Sequence, residues 1–188
     1  MLYHASPRSG LKTLLPHAST HGTPYVYALE NPVTALLFGT KQDDFDFDIS
    51  TDAAGIPTLC ECYPGALETV YQGKSCSLYQ APEAGFLRSQ TGWADELVSP
   101  RPVPVLSETP IPDLYARLLS AEASGALILR RYQHTPTYRR MVAAHIIDRL
   151  LRFRVDLERC LDQDPRFSTH YRALILALRS AADGHLLP

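Results

Sequence analysis

Over the first 110 residues, apolar and polar positions alternate in short runs broken by proline, glycine and asparagine. A period of two marks a strand with one buried face, and short runs bounded by turn residues mark a β-rich body. Leu2-Tyr3-His4-Ala5 opens the chain as a short strand. Gly10–Leu15 reads as one helical turn stopped by Pro16, and His17–Thr23 as loop. Pro24-Tyr25-Val26-Tyr27-Ala28-Leu29 places aromatic and β-branched residues on alternating faces, a strong strand signal. Asn31-Pro32 then supplies an N-cap and a first helical position for Val33–Phe38, with a stop at Gly39. Thr58–Tyr63, Ser77–Gln80, Gly85–Leu87, Glu96–Ser99 and Val103–Leu106 read as further strands. Pro102 and Pro104 assign the last of these to an edge or a bulge, because proline donates no ladder hydrogen bond.

Beyond residue 110 the period lengthens. Ile111–Leu119 reads as helix with Pro112-Asp113 near its start, while Gly125–Leu129 fits strand or helix. Thr137–Leu161 carries Val142, Ile146, Leu150, Phe153, Leu157 and Leu161 at spacings of three and four, the stripe of an amphipathic helix. Arg139, Arg140, Arg149, Arg152 and Arg159 lie off that stripe. A second helix is expected over Pro165–Ala182, with Phe167, Tyr171, Leu174 and Leu178 inward and Gly184 past its end. The reading is therefore α+β, with a β-rich body over 1–110 and a helical C-terminal extension over 111–188, a hairpin packed on the core.

Composition changes this picture little. Of 188 residues, 45% are hydrophobic and 20% charged, enough to build a core and ordinary for a soluble domain. No apolar run approaches the roughly 18 residues of a membrane span. The start lacks a basic segment followed by an apolar one. A cytoplasmic protein without membrane partners is expected.

Charge changes it more. Residues 1–129 hold 7 Lys+Arg against 14 Asp+Glu, a balance of −7, whereas residues 130–188 hold 11 Arg against 6 Asp+Glu, a balance of +5. Such asymmetry predicts two surfaces with different partners. The Arg-rich helices, with Arg154 beside those named, are a candidate surface for nucleic acid or a protein partner. The interleaved acids also fit an ordinary solvated helix face.

The four cysteines, Cys60, Cys62, Cys76 and Cys160, are too few for a disulfide framework and read as buried reduced thiols. Cys60-Glu61-Cys62 alternates as strand residues do, with both thiols on one face and no second Cys/His pair to complete a zinc site. Five aspartates fall within Asp43–Asp52, but the EF-hand spacing with its central glycine and terminal glutamate is absent. A solvated edge strand or loop is expected there. His17 and His21 stand four apart in loop-like sequence, so no metal is expected.

No nucleophile elbow, P-loop, zinc-protease helix or dinucleotide fingerprint occurs. Three segments remain, in this order: Tyr3-His4-Ala5-Ser6; Tyr25-Val26-Tyr27-Ala28 with its capped helix; and Trp93-Ala94-Asp95-Glu96-Leu97-Val98-Ser99. Over roughly residues 1–108 this order resembles the His–Tyr–Glu branch of the ADP-ribosyltransferase superfamily, which includes the poly(ADP-ribose) polymerases and the diphtheria-like toxins. The family's first strand ends in His-Gly-Ser or His-Gly-Thr; here His4 and Ser6 match and Ala5 replaces the glycine. Glu96 matches the glutamate that begins a late strand, with Asp95 as its rival. Ala94 stands where the arginine-specific branch carries a second Glu or Gln.

The resemblance implies a split two-sheet β core with flanking helices and an NAD-dependent transfer of ADP-ribose to an acceptor that is protein, nucleic acid or small molecule. NAD is then the substrate. Cleaving the nicotinamide–ribose bond develops positive charge at the ribose, which a fixed carboxylate stabilises; by resemblance this is Glu96. His4 would hydrogen-bond the other ribose, since a neutral imidazole both donates and accepts. Tyr25 or Tyr27 would stack on nicotinamide. Backbone groups at Ala5 and the Ser6 hydroxyl would hold the carboxamide.

Overall fold

The computed structural model describes residues 1–18, 23–43, 45–91 and 93–153, with side chains to Arg149. The chain is a mixed α+β protein of two compact units, the first Met1–Arg131 and the second from Tyr132 onward. The first unit thus extends past residue 110.

Alternation builds the first strands. β1 (Leu2–Ser6) and β3 (Val26–Leu29) carry the first two segments singled out above, and β8 (Glu96–Ser99) the third. With β6 (Cys76–Ala81), β7 (Leu87–Arg88) and β10 (Ser107–Ile111) they form a six-stranded antiparallel sheet in the order β10-β6-β1-β3-β8-β7. The register pairs His4 with Tyr79, Ala28 with Leu97 and Leu2 with Ala81. One face therefore collects Leu2, Ala28 and Leu97 in one apolar cluster, and Val26, Tyr79 and Ala81 in a second with Leu14 and Val103. Leu14 and Val103 come from a two-stranded sheet of β2 (Thr13–Leu14) and β9 (Val103–Pro104). The residues expected to form a helical turn thus pair as a strand, because Leu14 gains a buried place opposite Val103.

The other face is covered by α1 (Pro32–Leu37), which packs on β1, β3 and β6. Asn31 caps it as expected, its Oδ1 accepting Val33 N at 2.8 Å and Thr34 N at 3.2 Å, with Pro32 at the first position. Gly39 ends the helix against β6. A Cβ there would stand 2.7 Å from Cys76 Sγ, so only glycine lets the chain pass this close.

A three-stranded sheet of β4 (Phe47–Thr51), β5 (Pro57–Glu61) and β11 (Ile128–Arg130) has the order β11-β5-β4, with β11 parallel to β5. The acidic stretch straddles the edge strand β4, which holds Asp48, while Asp43 and Asp46 precede it and Asp52 follows it. Asp46, buried, accepts the Tyr63 hydroxyl at 2.9 Å and Asp43 N at 2.7 Å. β5 is buried throughout, Glu61 between the two thiols included, so it has no exposed face. Glu61 accepts Leu67 N at 2.8 Å in the first turn of α2 (Ala66–Tyr71). Cys60, Cys62 and Cys76 are free and buried; burial raises all three thiols, Cys76 to about 11. Cys160 lies outside the described residues.

α3 (Leu114–Ala123), capped by Asp113, packs on α1 and α2. In the second unit α4 (Pro136–Phe153) buries Tyr138, Val142 and Ile146 along one face and exposes Arg139 and Arg140. The helix expected over Pro165–Ala182, with Arg154 and Arg159, lies outside the described residues. No described helix is long and apolar enough to cross a membrane.

Candidate functional site

β1, β3 and β8, which carry His4, Tyr27 and Glu96, are consecutive strands at the centre of the large sheet. The β3–β8 ladder runs through four partner pairs, but β1 and β3 share a single one, Tyr3 with Leu29. Beyond that pair β1 and β3 register no further partners. The backbone of β3 that would have met β1 finds other partners. His4 Nδ1 lies 2.8 Å from the Tyr27 carbonyl, and Tyr25 exchanges two backbone hydrogen bonds of 3.1 Å with His17.

The His4 contact fixes its chemistry. A carbonyl only accepts, so Nδ1 carries the proton and Nε2 is the acceptor of the neutral ring. Burial pushes His4 below its ordinary value of 6.5; the Tyr27 carbonyl opposes this and nearby His17 adds to it. The imidazole is therefore neutral at physiological pH.

Pairing decides the faces. Leu29 opposes both Tyr3 and Glu96, and Tyr27 opposes Val98. Tyr25, Tyr27, Leu29 and Glu96 thus share the face covered by α1, and Glu96 is a diagonal neighbour of Tyr27, about 7 Å across the ladder. Ala5 alternates onto this face and is buried. Among the described residues, the only non-glycine with positive φ is Ser89, so Ala5 keeps an ordinary strand conformation. His4 and Ser6 alternate onto the opposite face with Tyr79, whose ring centroid lies 6.5 Å from that of His4. His4 reaches Tyr27 across the gap between the strands.

The tyrosines meet edge to face with centroids 6.1 Å apart, and His17 meets Tyr27 at 5.6 Å. Both tyrosines are half-buried. Ser6 Oγ accepts Arg8 N at 3.2 Å, which leaves its hydroxyl proton to donate. Ahead of Glu96, Trp93 meets Phe38 from the end of α1 with centroids 5.7 Å apart, and its carbonyl accepts Glu96 N at 3.3 Å. His17, Trp93 and Phe38 carry no sequence signal of this placement; only the folded ladder reveals it. His21 lies outside the described residues. Among the described residues no group of three or more His, Cys, Asp or Glu side chains could hold a metal ion.

In comparisons with family models, curated proteins and solved structures, none matches the chain.

Proposed function

We propose that the protein is an NAD-dependent ADP-ribosyltransferase of the His–Tyr–Glu type, built on the split two-sheet core of that superfamily. The observation that carries this reading is the His4 imidazole, which reaches from the opposite face of the sheet to the Tyr27 carbonyl where the β1–β3 pairing stops, with Tyr27 and Glu96 on the next two strands. On the β3 side of the gap the Tyr27 carbonyl and both backbone groups of Tyr25 are already taken by His4 and His17, so a carboxamide would be held from the β1 side. Ala5 and Ser6 stand on that side.

In the proposed reaction the bond from ribose C1′ to the nicotinamide nitrogen breaks, and nicotinamide leaves with the electron pair. The acceptor nucleophile bonds C1′ and loses its proton. Glu96 stabilises the positive charge that develops between these events and orients a ribose hydroxyl. His4 accepts a hydroxyl of the other ribose through Nε2, while Nδ1 stays on Tyr27. Tyr27 or Tyr25 supplies the ring that nicotinamide lies against.

The test is nicotinamide release from NAD by the purified full chain, with protein, nucleic acid and small-molecule acceptors offered in turn and water as the default acceptor. Glu96→Gln is expected to lower the rate about 100-fold or more with an unchanged melting temperature. Calorimetric NAD binding without release by the wild type would instead support a non-catalytic nucleotide-binding module, and absence of both would end the NAD reading. Nucleic-acid affinity that falls steeply with salt would identify the Arg-rich second unit as a contact for that partner.

A further inference from the structure

The chain leaves β1 at Ser6 and is then held at Arg8, Gly10 and Leu11. Arg8 N donates to Ser6 Oγ at 3.2 Å, and the Arg8 carbonyl accepts the Tyr79 hydroxyl at 2.7 Å. Gly10 N is shared between the two oxygens of Glu108, at 3.0 and 3.1 Å, and Leu11 N donates to Tyr79 Oη at 3.3 Å. Gly10 has φ +74°, the left-handed conformation that turns its amide to the carboxylate. Glu108 itself accepts Ser77 Oγ at 2.6 Å and lies 3.2 Å from Tyr79 Oη. In the sheet, Glu108 opposes Tyr79 and Tyr79 opposes His4, so the three form one row across β10, β6 and β1.

We infer that Glu108 is a positioning residue of the NAD site: its carboxylate clamps the Ser6–Leu11 segment against Tyr79, and so fixes His4 and the donor direction of Ser6. This rests on the NAD reading of the cleft. Hydrogen bonds from Ser77 first, then from Gly10, hold the carboxyl below the usual glutamate range, and Lys12 adds to this, so the clamp is charged at neutral pH. The groups facing it are Ser77 and Tyr79 from β6, Gly10 and Lys12 from the segment, and His4 beyond Tyr79. Glu108 is half-buried on an edge strand and belongs to neither apolar cluster, its one contact with them being the Tyr79 hydroxyl.

Glu108→Ala in the full chain tests the inference by two readouts. Hydrogen exchange at the Gly10 and Leu11 amides is expected to quicken about tenfold or more, while the β3–β8 amides keep their protection. KM for NAD is expected to rise about tenfold with kcat little changed, because the groups held by the clamp bind substrate rather than react. Glu108→Gln, which keeps one acceptor oxygen, is expected to fall between. If Glu108→Ala does not fold, Ser77→Ala removes the shortest bond to the same carboxylate and is read the same way. A lower melting temperature with unchanged KM would make Glu108 merely structural and overturn the inference, and so would unchanged exchange at Gly10. If the wild type neither binds nor cleaves NAD, the proposed function fails, and quickened exchange at Gly10 still shows the clamp without its role toward NAD.

Discussion

His4 is the residue where fold and proposed chemistry meet, because the proton that bridges the gap in the sheet also sets which nitrogen faces a ligand. Its sequence context gives a strand and nothing more; the carbonyl it reaches belongs to Tyr27, 23 positions on. Burial lowers its folded value below 6.5, while the unfolded chain titrates near 6.5. Below 6.5 the unfolded chain takes up a proton that the folded one resists, so the stability from neutral His4 is complete above 6.5 and is lost as pH falls through the lower folded value. His4→Asn keeps a donor for the Tyr27 carbonyl and removes the titration. Chemical denaturation from about pH 7.5 to about pH 5 is expected to give a shallower loss of stability in the variant than in the wild type; equal slopes would assign the loss to other groups. Gly39 is a second residue whose role no periodicity shows. Gly39→Ala puts a methyl 2.7 Å from Cys76 Sγ and 3.1 Å from the Leu36 carbonyl, and is expected to cost roughly 1–3 kcal/mol in urea unfolding. Cys76→Ala in the same chain is expected to recover part of it, since the two sites share one space.

At the scale of elements, legibility followed the strength of the local signal. α1 was readable because its cap, its Pro32 and its apolar run agree, and β3 because aromatic and β-branched residues alternate through it. α2 was missed: it has six residues, too few for a period to show, and its start is held by Glu61 from β5 rather than by a capping side chain. β10 was missed because Pro110 argues against a strand, yet β10 is an edge, where a missing donor costs nothing. α1 matters beyond its length, since it packs on β1 and β3, the strands that carry His4 and Tyr27, and follows β3 after two residues. Asn31 both caps it and donates from Nδ2 to the Gly55 carbonyl at 2.9 Å. Asn31→Ala is expected to cost about 1 kcal/mol in denaturant unfolding, and Asn31→Asp less, because aspartate keeps the cap and loses only the Gly55 bond. An equal loss in both would assign the stability to Gly55 instead.

For the whole molecule, strand order was the part the chain could not disclose. The sequence order of His4, Tyr27 and Glu96 leaves their strands free to be neighbours or strangers, and the partners Tyr79 and Glu108 come from strands more than 70 residues on from His4. What the chain did announce was a division of charge, and it falls close to the division of the structure. Residues 1–131 hold 9 Lys+Arg against 14 Asp+Glu, a balance of −5, and residues 132–188 hold 9 against 6, a balance of +3. Among the described residues the three sheets, and the two apolar clusters named above, lie within the acidic unit, whose last described strand ends at Arg130. That unit closes its own ladders: β11 reaches β5 only because the chain continues past residue 110 through α3, so a cut at 110 would leave β5 without its parallel partner. A fragment of residues 1–131 is therefore expected to unfold in one cooperative transition with the near-ultraviolet signal of packed tyrosines, whereas a fragment of residues 1–110 is expected to lose that signal. The same pair separates fold from function, because every residue assigned to the NAD site and to its clamp is present in both. Nicotinamide release retained by 1–131 and lost by 1–110 would tie the proposed activity to the intact acidic unit. A non-cooperative 1–131 fragment would show that the basic unit is required for folding, and charge would then have divided the chain in a place where stability does not.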